Sequence, residues 1–151
     1  MDYVDRKIVG LLSEDARRSL ADIGERVELS PSAVNERIRR LAASGVIRRF
    51  TVEADPESLG YPVLAFVFVA LAPEADEEEF RRFCAAHPAV LECHHVTGGW
   101  SYLVKVRLPA ITDIEEFLSL LKSRRYLARS ETMIALSSAV ERMLTGGVAT
   151  P

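Results

Sequence analysis

What this sequence lacks narrows the field first. Only two cysteines occur in 151 residues, Cys84 and Cys93, and they show no framework spacing. A disulfide-stapled secreted scaffold is therefore excluded and a reducing compartment implied. No apolar run approaches the roughly 20 residues that a membrane helix needs. The longest, residues 63–72 between Pro62 and Pro73, reads as a buried strand. Met1-Asp2-Tyr3-Val4-Asp5 has neither a basic n-region nor an apolar h-region, so no signal peptide is expected and the expected location is the cytoplasm, without a membrane partner. Repeats and low-complexity tracts are missing too. No phosphate-cradling glycine loop, nucleophile–base pair or pair of catalytic carboxylates can be assembled, so neither an enzyme nor a cofactor is expected.

Charge of one sign is also scarce overall, at a net −3, but the average conceals a split. Residues 1–50 carry ten Lys/Arg against eight acids, a net +2, leaving −5 for the remainder. Between residues 31 and 50 five arginines (Arg37, Arg39, Arg40, Arg48, Arg49) face one acid, Glu36. Local density is what a polyanion meets, so this stretch outweighs the total. Apolar residues make up 48%, enough to build real cores.

The first fifty residues read as three short helices. Val4, Ile8, Leu11 and Leu12 recur at helical spacing behind Asp2, a candidate N-cap. Ser19-Leu20-Ala21-Asp22 resembles a capping box, and Ile23 and Val27 give the helix it opens an inner face. Ser30-Pro31 is a strong start signal for the third helix. Val34, Ile38 and Leu41 form its buried stripe, and Gly45 can end it in the left-handed conformation.

The pattern then changes. Residues 51–61 look like a linker strand and turn. After them come a strand (Val63–Leu71), a helix (76–87; inner face Phe80, Phe83, Cys84), a strand (89–97), the Gly98-Gly99 turn and a strand (Tyr102–Leu108). A helix (Thr112–Ser123) follows, with Ile114, Phe117, Leu118 and Leu121 inward, then a last strand (133–140) and a frayed tail (146–151). The order βαββαβ is the split βαβ, ferredoxin-like arrangement. The fold class expected is α+β: a three-helix, winged helix-turn-helix domain over residues 1–50, a linker strand over 51–61 and a ferredoxin-like domain over 62–151. The first strand is apolar at both parities, although an antiparallel sheet with a wet outer face should alternate. Both its faces need cover, one from the two helices and the other most simply from a second subunit's sheet.

From Leu20 onward the spacing fits a helix-turn-helix, with residues 28–30 as the turn and Gly24 small where the helices cross. The second helix of such a motif lies in the DNA major groove. Opposite the Val34/Ile38 stripe stand Ser32, Asn35, Glu36 and Arg39, whose types suit base edges. Ser30 stands at the helix start. Arg40, Arg48 and Arg49, with Arg37 if it turns outward, suit phosphates. Glu28 occupies a turn position that commonly takes φ > 0 and prefers glycine, at a cost of roughly 1 kcal/mol. The bland alternative is a protein-interaction or ligand-sensing module with a vestigial helix-turn-helix. Cys84, His87, Cys93, His94 and His95 are zinc-ligand types. A buried helix face and an alternating strand give the cysteines no reason to converge, however, and no metal is expected.

Several ordered motifs together resemble the Lrp/AsnC (feast/famine) family of regulators: Asp5-Arg6-Lys7-Ile8, residues 29–34, Arg37-Ile38-Arg39-Arg40-Leu41, Gly45-Val46-Ile47, Asp55-Pro56 with Leu59-Gly60, Val96-Thr97-Gly98 and Tyr102-Leu103-Val104. The resemblance implies a sequence-specific transcription regulator bound to double-stranded DNA. It implies a homodimer paired sheet to sheet and assembled into higher oligomers, octamers among them. It also implies an amino-acid-like effector held between dimers, which here points to Gly98, Gly99, Trp100, Ser101, Tyr102 and Thr132. The family's usual Asp before the Tyr is replaced by Ser101, a weaker partner for an ammonium group. Trp100 is open to two roles, stacking on an effector or plugging a subunit interface. Some relatives of this fold are sirohaem decarboxylases, but their strand signature is not found in residues 92–97.

Overall fold

The computed structural model describes residues 1–141, so the expected tail over 146–151 lies outside the described residues. The chain forms two compact units, Met1–Glu53 joined by Val140 and Glu141, and Ala54–Ala139.

In the first unit α1 (Tyr3–Glu14) opens with a reciprocal capping box. Asp5 N donates to Asp2 Oδ1 at 2.7 Å and Asp2 N to Asp5 Oδ2 at 3.2 Å, satisfying amides that the helix itself leaves orphaned. α2 (Leu20–Val27) is capped by Ser19, whose hydroxyl accepts Asp22 N. α3 (Pro31–Ala43) starts on Ser30 with Pro31 in the first turn, and Gly45 beyond its end has φ +76°. Ile8, Ile23, Val27, Val34 and Leu41 make the core, with Ile38 and Leu29 packed on it. Each fully buried aliphatic chain contributes about 1.5–3 kcal/mol.

The turn between α2 and α3 depends on two special residues. Glu28 is left-handed (φ 58°, ψ 43°), as the motif demands, and Leu29 N bonds back to Gly24 O at 2.9 Å. A β-carbon on Gly24 would lie 2.5 Å from the Leu29 carbonyl oxygen. The turn's own backbone, beyond any helix crossing, is what requires glycine there.

No wing strand follows α3 among the described residues, and no strand forms over 51–61. A strand exists only by bonding a neighbour, and residues 51–61 pair with no strand among the described residues. Instead the Asp55 carboxylate accepts the Glu57 and Ser58 amides and builds a turn closed by Gly60 at φ +84°.

The second unit contains β1 (Val63–Leu71), α4 (Glu77–Ala86), β2 (Val90–His95), β3 (Tyr102–Leu108), α5 (Thr112–Ser123) and β4 (Leu127–Ile134). The sheet is antiparallel in the order β2-β3-β1-β4, the expected ferredoxin-like arrangement. Ala65, Val67 and Val69 of β1 pair with Val106, Val104 and Tyr102 of β3. They form the inner face, packed with Phe80 and Cys84 of α4 and Ile114, Phe117 and Leu121 of α5. Leu64, Phe66 and Phe68 occupy the other face beside Arg107, Lys105 and Leu103.

The last strand lies six residues earlier than expected. Met133-Ile134-Ala135-Leu136 drew the expectation toward 133–140, whereas β4 runs through the polar stretch Leu127–Ile134. As an edge strand it buries little, so its sequence carries a weak apolar signal.

Candidate nucleic-acid interface and effector site

On α3 the buried stripe is Val34 and Leu41, with Ile38 partly buried beside them. Ser32, Asn35, Glu36 and Arg39 lie on the opposite, exposed side. The Ser30 hydroxyl caps Ala33 N at 3.3 Å and lies 3.0 Å from the Ser32 hydroxyl. Among the described residues Arg39 pairs only with Glu36, at 3.8 Å with both side chains about three-quarters exposed, a pair of negligible strength. Arg48 and Arg49 are exposed and make no ion pair among the described residues.

Arg37 belongs to a different group. Its Nη1 donates to Asp2 Oδ2 and Asp5 Oδ1, each at 2.7 Å. Arg40 reaches Asp5 from 3.5 Å but stays mostly exposed. Burial pushes the Asp5 carboxyl up, but the Arg37 guanidinium and the Asp2 amide outweigh it and hold the pKa below the usual carboxylate range. The Asp5 amide, then Arg37, do the same for Asp2. Arg37 therefore ties α3 to the start of α1 instead of standing free for a phosphate. The signal was available in the sequence, since residue 37 flanks the 34/41 stripe by helical angle.

In the second unit the six candidate effector residues have differing surroundings. Gly98, at φ +101°, and Gly99 form the exposed turn before β3. Trp100 packs on Phe68 (ring centroids 5.7 Å apart) and lies under the Arg129 guanidinium, 4.0 Å from the ring centroid. Arg129 also donates to Gly99 O at 2.8 Å. The Ser101 hydroxyl accepts Leu71 N at 3.1 Å, and Ser101 N donates to Val69 O, so Ser101 braces the strand end. Tyr102 is buried. Its hydroxyl donates to Glu77 and accepts from Arg81 Nε. Thr132, just before the expected last strand, lies instead near the end of β4, opposite Val67. Only Tyr102 of the six lines the larger cavity described, about 590 Å³ between α4, β2 and β3.

Sequence reasoning missed Arg129, Glu77, Arg81 and the meeting of the cysteines. Cys84 and Cys93 do converge, both lining that cavity. Arg129 was hidden by the misplaced strand. Among the described residues no group of three or more His, Cys, Asp or Glu could hold a metal ion. No helix among them is long and apolar enough to cross a membrane.

Three helices presenting an exposed, arginine-bearing third helix, with a separate split βαβ layer pair, define a helix-turn-helix transcription regulator with an α+β companion module. The chain belongs to the Lrp/AsnC family: residues 1–42 match the AsnC-type helix-turn-helix domain and residues 64–145 the Lrp/AsnC ligand binding domain. It is similar to the HTH-type transcriptional regulator FL11 of Pyrococcus horikoshii, at 35% identity over 141 residues and 93% of each chain. Among solved structures, LrpC of Bacillus subtilis is 28% identical with a TM-score of 0.83, covering 94% of this chain and 99% of that one. A Neisseria meningitidis transcriptional regulator in complex with L-Met is 26% identical with a TM-score of 0.87, covering 96% and 95%. The chain is thus a transcription regulator and not an enzyme.

Proposed function

We propose that Ser32, Asn35, Glu36 and Arg39 read base edges in the major groove while Ser30, Arg40, Arg48 and Arg49 hold phosphates. The single observation that carries this is the exposed polar side of α3, backed by the buried Val34 and Leu41. Asn pairs bidentately with adenine, Arg with guanine, and Glu accepts from cytosine. Arg37 acts instead as a positioning residue, because Asp2 and Asp5 already satisfy it.

Two copies pair through the face carrying Leu64, Phe66 and Phe68, and the pairs assemble further. Dimerisation sets two recognition helices one helical turn of DNA apart. A small amino-acid-like molecule, bound near the Gly98–Tyr102 turn and completed by a neighbouring pair, shifts that assembly. The likeness to the regulator held with L-Met supports an effector of this class.

Titrating labelled duplexes at several salt concentrations tests the assignment. Arg39→Ala should weaken a specific site by about 1–3 kcal/mol and spare nonspecific DNA, whereas Arg48→Ala or Arg49→Ala should weaken all DNA and reduce the salt slope by about one. Arg37→Ala should lower stability with the slope unchanged. Equal loss of specific and nonspecific binding for Arg39→Ala would overturn the base-reading role.

A further inference from the structure

Cys84 and Cys93, the chain's two cysteines, have no part in the reading above. Cys84 sits on α4, 2% exposed, within the core. Cys93 lies in the middle of β2, partly buried and in register with Val104, so its side chain shares the helix-facing side of the sheet. The two thiols are near enough for each to perturb the other. Both line the cavity of about 590 Å³, together with Arg81, Glu92, His95 and Tyr102.

The two sulfurs differ in their surroundings. The neighbouring Cys93 sulfur and burial push the Cys84 thiol up. The neighbouring Cys84 thiol, opposed by burial and helped by His94 and Arg81, brings Cys93 down. Thiolate, and not thiol, is the attacking species, and basic neighbours favour it. Cysteines serving only as core filler require neither a shared cavity nor a cation beside one of them.

We propose that Cys93 and Cys84 form a peroxide-responsive dithiol, with Cys93 as the attacking sulfur and Cys84 as the resolving one. The oxidant is a hydroperoxide entering the cavity. The Cys93 thiolate attacks one peroxide oxygen, the O–O bond breaks, and the leaving oxygen takes up a proton to depart as water or an alcohol. Cys93 is then a sulfenic acid. The Cys84 sulfur attacks it, the S–O bond breaks, and the hydroxyl leaves as water with the Cys84 proton. One peroxide is reduced and two thiols are oxidised to one disulfide. That bond ties α4 to β2 beside Tyr102, whose ring stacks on His95 at 5.1 Å and whose hydroxyl is held by Glu77 and Arg81. β3 begins at Tyr102, directly after the Gly98–Ser101 turn, so oxidation acts on the strand that carries that turn.

The experiment treats the full chain with hydrogen peroxide, then counts thiols under denaturing conditions, records intact mass and runs nonreducing gels. The wild type should lose both thiols and the mass of two hydrogen atoms, stay a single chain on the gel, and recover with dithiothreitol. Cys84→Ser, with Cys84→Ala as a second variant should the first fold poorly, should accumulate a dimedone-reactive sulfenic acid at Cys93. Cys84 in Cys93→Ser should react on the order of ten-fold more slowly than Cys93 does in the wild type. Thiols that survive peroxide sufficient to oxidise glutathione, a disulfide linking only separate chains, or equal reactivity of Cys84 in Cys93→Ser would each overturn the proposal.

Discussion

Five buried side chains, Ile8, Ile23, Val27, Val34 and Leu41, form the core of the helical unit, against thirteen in the α/β unit. The larger core is rich in rings: Phe80 meets Tyr102 at 5.0 Å and Tyr126 edge-on at 5.5 Å. The smaller one is supplemented by polar devices, namely a reciprocal capping box, the buried Asp5 with Arg37, and Asp22 bonded to both Arg18 and Arg26. A unit with little apolar material leans on caps and ion pairs, which respond to pH and salt. A unit with a wide core responds to volume.

The largest effect should come from emptying the wide core. Phe80→Ala should cost about 3–5 kcal/mol, read in urea unfolding followed by the fluorescence of Trp100, the chain's one tryptophan; a loss below about 1 kcal/mol would break the contrast. Gly24→Ala is next, at about 2–3 kcal/mol, because the new methyl meets the backbone oxygen of Leu29. Thermal melts followed at 222 nm check it, and an unchanged melt would mean that the turn yields easily.

Asp5→Ala should cost about 1–2 kcal/mol through the lost cap and the stranded Arg37, and it also sharpens the pH side of the comparison. Asp2, Asp5 and Asp22 all have folded-state pKa values below their ordinary ones. Their contribution is complete above the ordinary carboxylate value, near 4, and is lost as pH falls through the lower folded values. On acidification the 222 nm helical signal should fall before the Trp100 signal moves, and Asp5→Asn should flatten that early fall. The reverse order would sink the idea. The smallest effect is a gain: Glu28→Gly should stabilise the turn by up to about 1 kcal/mol, since residue 28 is left-handed.

Much of this architecture was legible because local signals agreed. The Ser30-Pro31 start, the Val63–Leu71 run and the alternation of Tyr102–Leu108 each place an element at its observed bounds. What escaped reading depended on neighbours distant in sequence. Arg37 suits a phosphate only if it turns outward, and Asp2 and Asp5, more than thirty positions away, hold it. Ser101 is legible as a replacement for the family's usual Asp, but the Leu71 amide that its hydroxyl accepts is not. Cys84 and Cys93 meet because β2 pairs with β3 in a register that turns residue 93 toward α4. Base-reading side chains are legible by type and helical angle, while a small-molecule site spread over several strands is not.

The rims of the sheet have a consequence of their own. The order β2-β3-β1-β4 leaves the most polar strands outermost, with Glu92, His94 and His95 on one and Arg129 and Glu131 on the other, and each departs from regular pairing once along its length. Lateral growth into a continuous ribbon would have to desolvate those charged side chains, a cost that disfavours pairing at both margins. Under the proposed pairing, contact between copies would fall instead on the sheet face carrying Leu64, Phe66 and Phe68.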